Sequence, residues 1–398
     1  MLTALIIGMT PDVTENVSRL CGESGDICVY KTLESYPDLH EVARLANLYA
    51  PEIIFLQLWA PGDSGVEPIR VRKVVDEIRM ARPEAALIGL LPNLEQEGSQ
   101  LAGELGIEDI LIPPIHATDF RDRIFRALDR SAGMVKGSIY SFMPAKSGSG
   151  ATVTALNVAG CLARHFHRRV LLLEGDLYSG PIAVMLNIQP EQSVSDAIDY
   201  SAQLTSASWD RLVTKVDGLD VLATSGVNCS VTASQFSYFR LLSFAQRRYD
   251  DIIVDLPGVV DDAAEPLLTH SRGVYLVCTP ELTSLALARR RTRQLEMRGV
   301  RDSALGVVLN RCDQAELSKE RIAELIGHPI VAQLPNDYHS VKQSIESGGF
   351  VDPRTNLGKA YLDLAGNLAG LAPQRHPGVS RLKALLRKLA PLPESSTA

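Results

Sequence analysis

The first 130 residues alternate between short apolar runs and longer segments in which apolar positions recur at helical spacing. A short apolar run bounded by polar residues predicts a buried strand, and helical spacing predicts an amphipathic helix. Five strand–helix pairs in succession predict a flavodoxin-like, doubly wound α/β sheet. The predicted strands cover residues 2–8, 27–31, 51–58, 85–91 and 109–112, and the predicted helices cover 12–23, 37–50, 66–82, 96–105 and 119–129.

A second series of the same kind follows a stretch of small residues at 131–136, which we interpret as a linker. The chain is long enough for two domains, and we place them at residues 1–130 and 137–372. Apolar strands that alternate with helices imply a second doubly wound parallel sheet, whose ligands would bind at the carboxyl ends of its strands. The predicted strands of this domain cover 138–142, 169–173, 219–223, 251–256, 273–278, 304–309 and 330–334.

A glycine-rich loop at residues 145–150 lies between the first strand and the first helix of the second domain. Its glycines tolerate positive φ, and its backbone N–H groups point toward a bound anion together with the helix N-terminus. The pattern therefore predicts a phosphate-binding cradle. Two positions differ from the ordinary P-loop: Lys146 opens the loop, and Ala151 replaces the lysine that normally precedes the Ser or Thr. Thr152 retains the hydroxyl that would bind Mg²⁺.

The loop KSGSGAT, which begins at Lys146, resembles the deviant Walker A loop of the MinD/ParA ATPases. The resemblance implies a P-loop nucleotide-binding domain that forms a homodimer, in which this lysine reaches the nucleotide of the partner. It also implies that Asp255 holds Mg²⁺ through water and that Asp176 orients the attacking water. A lone Asp at a strand end is more often a turn or helix-cap residue, and for Asp176 this alternative stays open. The residues implied for ATP are Lys146, Ser147, Gly148, Ser149, Gly150, Ala151, Thr152, Asn310 and Pro335, and those implied for Mg²⁺ are Thr152 and Asp255.

The lysine missing at Ala151 predicts a weakened nucleotide site. A charged hydrogen bond from an ammonium to a phosphate is worth about 1.5–3 kcal/mol, so its loss weakens binding roughly 10- to 100-fold. Hydrolysis loses more, because the charge that grows on the γ-phosphate lacks a preorganised partner. We therefore expect weakened binding of ATP and Mg²⁺ and weak or no ATP hydrolysis, with the partner's Lys146 supplying part of the missing charge.

The first domain resembles a response-regulator receiver domain, most clearly in the stretch PEIIFLQ. Three positions of receiver chemistry are replaced in this sequence. Gln57 stands where receivers have the phosphorylated Asp, Met9-Thr10 stands where they have an acidic pair for Mg²⁺, and Pro113-Pro114 replaces the usual Lys-Pro. Because an amide cannot form an acyl phosphate, we expect this domain to serve as a docking or dimerisation surface. A purely structural cap is the alternative.

A receiver-like domain without its phosphorylation site, followed by a MinD/ParA-type domain, resembles the TadZ/CpaE family, and the stretch LPNDYHSVKQSIESGGF is similar to that family. The resemblance implies a localisation or scaffold protein for the assembly of Flp (Tad, type IVc) pili. The implied partners are the pilus assembly ATPase and the inner-membrane Tad machinery, and the implied location is the cytoplasm, at a pole or peripheral at the inner membrane. The alternative is an active MinD/ParA-like ATPase switch that positions cargo on membrane or DNA.

Two basic stretches are candidate binding surfaces in a chain whose net charge is −7. Residues 288–298 carry five arginines on a predicted helix, for which a solvated helix face is the simpler interpretation. The negative net charge disfavours DNA as a general partner. Residues 379–390, within a tail at 373–398, predict a basic amphipathic helix that would bind a membrane surface, the groove of a partner or its own domain.

The cysteines and the N-terminus bear on the expected compartment. Six cysteines are scattered without a C-x-x-C pair, which favours reduced core thiols in a cytoplasmic protein. The first residues have no basic segment of the kind that opens a signal peptide, and no apolar run approaches the length of a membrane span. These features agree with the cytoplasmic location that the resemblance implies.

Overall fold

The structure, a computed structural model, describes residues 2–58, 68–92, 96–131, 137–225, 233–312 and 318–371. The linker predicted at 131–136 lies almost entirely outside the described residues, and the helix predicted at 379–390 lies wholly outside them. The strands are β1 (Leu2–Ile7), β2 (Ile27–Leu33), β3 (Ile53–Gln57), β4 (Ala86–Leu90), β5 (Ile110–Leu111), β6 (Ser138–Pro144), β7 (Val170–Glu174), β8 (Thr214–Val216), β9 (Leu219–Leu222), β10 (Asp251–Asp255), β11 (Gly273–Cys278), β12 (Leu305–Leu309) and β13 (Ile330–Gln333). The helices are α1 (Pro11–Ser24), α2 (Leu39–Tyr49), α3 (Pro68–Ala81), α4 (Gln96–Glu104), α5 (Ala117–Ser131), α6 (Ala151–His165), α7 (Ile182–Met185), α8 (Val194–Asp199), α9 (Ser206–Leu212), α10 (Gln235–Gln246), α11 (Pro266–Thr269), α12 (Leu282–Met297), α13 (Lys319–Ile326), α14 (Tyr338–Glu346) and α15 (Asn356–Leu368).

Strands β1 to β5 form one parallel sheet in the order β2-β1-β3-β4-β5. This is the strand order of flavodoxin-like sheets, which the sequence predicts for this domain. Side chains alternate along β1: Leu2, Ala4 and Ile6 pack in the core that α1 and α5 cover, whereas Leu5 and Ile7 pack in the core under α2, α3 and α4. Both faces are covered, which explains why the strands have the pattern of continuous apolar runs.

Strands β6 to β13 form an eight-stranded sheet in the order β13-β12-β11-β6-β10-β7-β9-β8. All neighbouring strands in it are parallel except β8 and β9. The predicted strands of this domain are thus parallel to one another, and the antiparallel β8 at the edge is a strand that the sequence analysis does not predict. Asp217 and Gly218 join β8 to β9 with φ angles of 50° and 84°, the positive values that a two-residue hairpin turn requires. The apolar pattern does not predict β8, because this strand has only three residues and none of them is fully buried.

The centre of the second sheet brings several loops to one edge. Strand β6 lies between β10 and β11, and it continues directly into the glycine loop, while β10 ends at Asp255 and β7 ends at Glu174. Backbone hydrogen bonds extend past the strand ends: the Ala145 N–H donates to the Val277 carbonyl at 2.9 Å, and the Gly175 N–H donates to the Asp255 carbonyl at 2.7 Å. The predicted phosphate and metal positions therefore share this edge.

Aromatic side chains join the two domains. Phe125 of α5 packs against Phe236 and Phe239 of α10, with ring centroids 4.8 and 5.0 Å apart. The next residue of α10 adds an ion pair, because a guanidinium nitrogen of Arg240 lies 2.7 Å from a carboxylate oxygen of Glu52. The core that α1 and α5 cover on the first sheet thus continues into α10 of the second domain.

We predict that Phe125→Ala destabilises the full chain by about 3–5 kcal/mol, the range for a buried Phe reduced to Ala. Thermal unfolding would record this loss as a lowered Tm. In a cycle with Phe239→Ala, the two single losses should sum to more than the loss in the double variant, because both remove the same ring pair. Tyr30→Ala, at an exposed aromatic residue of the first domain, serves as the control. Equal losses at Tyr30 and Phe125 would contradict the described contact.

Candidate functional site

The glycine loop between β6 and α6 has the backbone of a cradle. Gly148 and Gly150 have φ angles of 79° and 94°, which side-chain-bearing residues rarely adopt, and α6 begins at the next residue after Gly150. A Cβ atom at Gly150 would also collide with the side-chain amide of Asn310. The position is therefore restricted to glycine by both its conformation and its neighbour.

Two residues that follow β12 hold this loop from outside. The Asn310 side-chain amide donates to the Ser149 carbonyl at 2.8 Å, and the Arg311 guanidinium donates to the Gly148 carbonyl at 3.0 Å. The resemblance implies a contact between Asn310 and adenine, which stays a prediction, whereas the hydrogen bond to the loop gives this residue a positioning role. The loop contact of Arg311 is not predicted from the sequence, although its place directly after a strand next to Asn310 is a signal for it.

Asp255, at the end of β10, is the electrostatic centre of the site. Its side chain lies beside Thr152, the residue is only 3% exposed, and its Oδ1 atom has no hydrogen-bond partner within the described residues. Burial, together with the negative charges of Glu174 and Asp176, raises the pKa of Asp255 to about 8, although the hydrogen bond of the Thr152 hydroxyl acts in the opposite direction.

A buried carboxylate with an open oxygen, next to a hydroxyl at the start of a helix, fits a hard cation with oxygen ligands. Asp255 and Thr152 are the residues that would hold Mg²⁺ here, and their assignment to the ion stays a prediction. A bound Mg²⁺ ion would supply positive charge to phosphate oxygens in the loop. The Ser149 hydroxyl, also buried and without a partner among the described residues, is a second group of the loop that a ligand can satisfy.

The position of the missing lysine is occupied by a packed methyl group. Ala151 is buried in the core that α6 forms against the sheet. Lys146 lies at the opposite end of the loop and is exposed, and its ammonium is 3.2 Å from a carboxylate oxygen of Glu281 at the start of α12. An exposed ion pair of this kind is worth at most about 1 kcal/mol. Lys146 is therefore held only weakly within its own chain.

Two carboxylates lie at the end of β7, and their environments differ. Glu174 is the last residue of the strand, and Asp176 follows two residues later. Glu174 is fully buried and accepts hydrogen bonds from the Ile182 N–H at 2.8 Å, the Thr224 N–H at 2.7 Å and the Thr224 hydroxyl at 2.9 Å. Burial raises its pKa, and these hydrogen bonds act in the opposite direction. Its role is structural, because it fastens the end of β7 to the first residue of α7 and to the segment that follows β9.

Asp176 accepts hydrogen bonds at Oδ1 from the backbone N–H groups of Tyr178 and Ser179, at 3.0 and 2.9 Å. These contacts are typical of an Asp side chain in a turn, which is the alternative that the sequence analysis leaves open for Asp176. The orientation of an attacking water by Asp176 stays a prediction.

Pro335, predicted beside the base, lies in the loop between β13 and α14. Backbone hydrogen bonds tie this loop to the segment after β12: the Leu334 N–H donates to the Leu309 carbonyl at 2.8 Å, and the Cys312 N–H donates to the Leu334 carbonyl at 2.9 Å. The structure therefore brings the segments of Pro335 and Asn310 together at the edge that carries the cradle.

The corresponding edge of the first sheet is closed by a side chain that the sequence analysis misses. The Tyr36 hydroxyl donates a hydrogen bond to the Gln57 carbonyl, and the Tyr36 ring lies so close to Gly8 that a Cβ atom there would be 2.6 Å from it. Tyr36 is buried. It therefore fills the space between the ends of β1 and β3, where a receiver domain would hold Mg²⁺ and its phosphorylated Asp.

Comparisons with known proteins bear on the second domain. No protein-family model matches the chain. An uncharacterised ATP-binding protein of Methanocaldococcus jannaschii is 26% identical over 242 residues, which cover 58% of this chain and 88% of that protein. A putative septum site-determining protein MinD of Emiliania huxleyi is 24% identical over 237 residues, which cover 57% of this chain and 85% of that protein. The crystal structure of a ParA family ATPase from Chlorobium tepidum TLS is 25% identical, with a TM-score of 0.53, and covers 58% of this chain and 99% of that one.

The chain is thus homologous to MinD/ParA-family ATPases over about 58% of its length, close to the share that residues 137–371 make up. The α/β parallel-sheet P-loop fold of that family, which the glycine loop predicts, is confirmed. Because the three alignments extend over little more than half of the chain, the receiver resemblance of the first domain stays a prediction.

We predict that Glu174→Gln lowers the stability of the chain by about 1–3 kcal/mol. An amide in this position turns an N–H₂ group toward one of the two backbone N–H donors, so one buried donor loses its acceptor. Differential scanning calorimetry should show a lowered Tm for this variant. Asp176→Asn, a change of the same chemistry at a less buried turn, should shift the Tm little. A larger shift for Asp176→Asn than for Glu174→Gln would contradict the structural role of Glu174.

Proposed function

We propose that this protein is a localisation or scaffold protein of the TadZ/CpaE type, which assembles Flp (Tad, type IVc) pili and dimerises through a degenerate ATP-binding domain. The observation that carries the proposal is that the nucleotide cradle keeps some features of a P-loop and lacks another. The backbone conformation, Thr152 and Asp255 fit a nucleotide with Mg²⁺, whereas Ala151 presents a buried methyl group where a P-loop presents its cation. A cradle in this state favours holding a nucleotide over cleaving it.

In this proposal each loop group has one task. The backbone N–H groups between Ser147 and Thr152 bind the phosphates, and Asn310 and Arg311 keep the loop in that shape through its carbonyls. Lys146 leaves its exposed pair with Glu281 to approach the nucleotide of the partner subunit, at small cost because the ion pair is weak. Turnover is slow, because charge on the γ-phosphate is stabilised only when the partner's lysine arrives.

The first domain acts in this proposal as a docking module. Tyr36 and Gln57 occupy the edge at which a receiver domain would be phosphorylated, so the module signals by contact and not by phosphotransfer. The partners are the pilus assembly ATPase and the inner-membrane Tad machinery, and the location is cytoplasmic, at a pole or peripheral at the inner membrane. Within the described residues, no helix is both long and apolar enough to cross a bilayer.

The second candidate function is an active MinD/ParA-like ATPase switch that positions cargo on membrane or DNA. It is favoured by the complete loop backbone and the open Asp255 oxygen, and by the names of relatives that are described as ATP-binding or as ATPases. ATP turnover stimulated by lipid or DNA would support this function over the scaffold.

We predict that Ala151→Lys tightens ATP binding roughly 10- to 100-fold, because it restores a charged hydrogen bond to the phosphates. Isothermal titration calorimetry with ATP and Mg²⁺ measures the change. Ser99→Lys adds the same charge at an exposed position of the first domain and should leave the affinity unchanged. If neither the natural chain nor Ala151→Lys binds ATP, the cradle is not a nucleotide site.

We predict that a chain with Asp176→Asn supports pilus assembly in cells that lack their own copy, because a scaffold does not need the attacking water. Surface pili are counted by electron microscopy, with the natural chain and an empty vector as references. Normal pilus numbers without any copy of the chain would remove the pilus function. Loss of pili with Asp176→Asn, at normal protein levels, would favour the ATPase switch instead.

A further inference from the structure

Helix α12 carries a solvent-facing ridge with apolar ends and a cationic centre. Leu282, Ala286, Arg290, Arg293 and Met297 follow one another at spacings of three or four residues, so they share one face of the helix. The opposite face is buried against the sheet. Leu282 and Met297, at the two ends of the ridge, are 79% and 80% exposed. The fold thus leaves two large apolar side chains in water on either side of a pair of arginines.

The arginines on and beside this ridge have no acidic partner among the residues that the structure describes. Arg289, Arg290 and Arg293 are exposed, and in the part of the chain that the structure describes they form no ion pair. The nearby Arg298 differs, because it pairs with Asp262 at 3.2 Å. The acidic residue next to the ridge, Glu296, is held at 3.0 Å by the Nε2 atom of His328. Three guanidinium groups are therefore available to an external anion.

A pocket of about 350 Å³ adjoins the ridge. Arg291 and Arg298 line it, and Val259 and Met297 form apolar parts of its lining that are 78% and 80% exposed. Val260, Leu268 and Leu295 add further apolar surface to the same pocket. Because Arg298 is already paired with Asp262, Arg291 supplies the positive charge of this pocket. A cation beside apolar walls at the protein surface suits a molecule that has an anionic head and an apolar chain.

We propose that the ridge of α12 and the adjoining pocket form a contact surface for a bilayer that contains anionic lipid. The arginines bind lipid phosphates, and Leu282, Met297 and Val259 enter the boundary between headgroups and acyl chains. A nucleic acid would also satisfy the arginines, but it offers nothing to the three exposed apolar side chains. The proposal goes beyond the scaffold function, because it uses neither the nucleotide nor residues 379–390.

Vesicle sedimentation of the full chain tests this surface, with phosphatidylcholine vesicles prepared with and without phosphatidylglycerol. Arg290→Glu/Arg293→Glu should lower the apparent partition onto anionic vesicles at least about 10-fold, since each arginine near such a surface contributes to binding. Leu282→Ser/Met297→Ser should weaken it as well, most clearly at high salt, where the apolar contribution persists. The matched control is Arg321→Glu/Arg354→Glu, which changes the charge equally at two exposed arginines of the same domain.

The outcomes separate this surface from the other candidates. A loss confined to Arg387→Glu/Lys388→Glu in the tail would overturn the assignment to α12. An equal loss of vesicle binding in the matched control would show that binding depends on the net charge of the chain and not on the α12 surface. The same variants are tested for binding to duplex DNA. If Leu282→Ser/Met297→Ser sediments with vesicles like the natural chain, while Arg290→Glu/Arg293→Glu no longer binds the DNA, the surface is a nucleic-acid site. The Tm of each variant is measured in parallel to detect unfolding. The conclusion is drawn from the variants whose Tm equals that of the natural chain.

Discussion

A carboxylate buried at the end of a central strand requires a proton or a counter-charge, and the second domain is arranged around that requirement at Asp255. Strand β10 lies directly beside β6, so the carboxylate is placed where the glycine loop turns into α6. The Thr152 hydroxyl satisfies part of this need from the first turn of that helix. The Oδ1 atom has no hydrogen-bond partner within the described residues, so a proton or a bound cation would complete the local electrostatics.

The two sheets treat equivalent edges in opposite ways. In the first sheet, the ring and hydroxyl of Tyr36 occupy the ends of β1 and β3, and the polar backbone there is satisfied internally. In the second sheet, Asn310 and Arg311 donate to the Ser149 and Gly148 carbonyls, so they hold the loop without occupying its N–H groups. The same architecture thus has an edge occupied by Tyr36 in the first domain and a glycine loop at the equivalent edge of the second domain.

Much of this fold is predictable from the sequence because its strands are covered on both faces. Runs such as IIFLQ and DIIVD have no polar alternation, and they are fully buried in the structure. The glycine loop and Asp255 are also predictable, since each depends on local conformation next to a strand. Strand β8 escapes the pattern because it is short and only partly covered. The roles of Glu174 and Tyr36 escape it for another reason: each bonds backbone groups distant in the sequence, which no spacing of residues reveals. The position of Arg311 after β12 signals a role at this edge, but not its contact with the Gly148 carbonyl.

The aromatic contact of Phe125 with α10 constrains how the described parts of the two domains lie relative to each other. Rings in van der Waals contact, fastened by the ion pair of Arg240 and Glu52, resist sliding between the two sheets. Two proteins that bind separate domains of this chain would then be held at a constant separation and orientation. In a dimer the same constraint would apply in both subunits. The distance between partner proteins bound to the two domains would then depend on the packing of Phe125, Phe236 and Phe239.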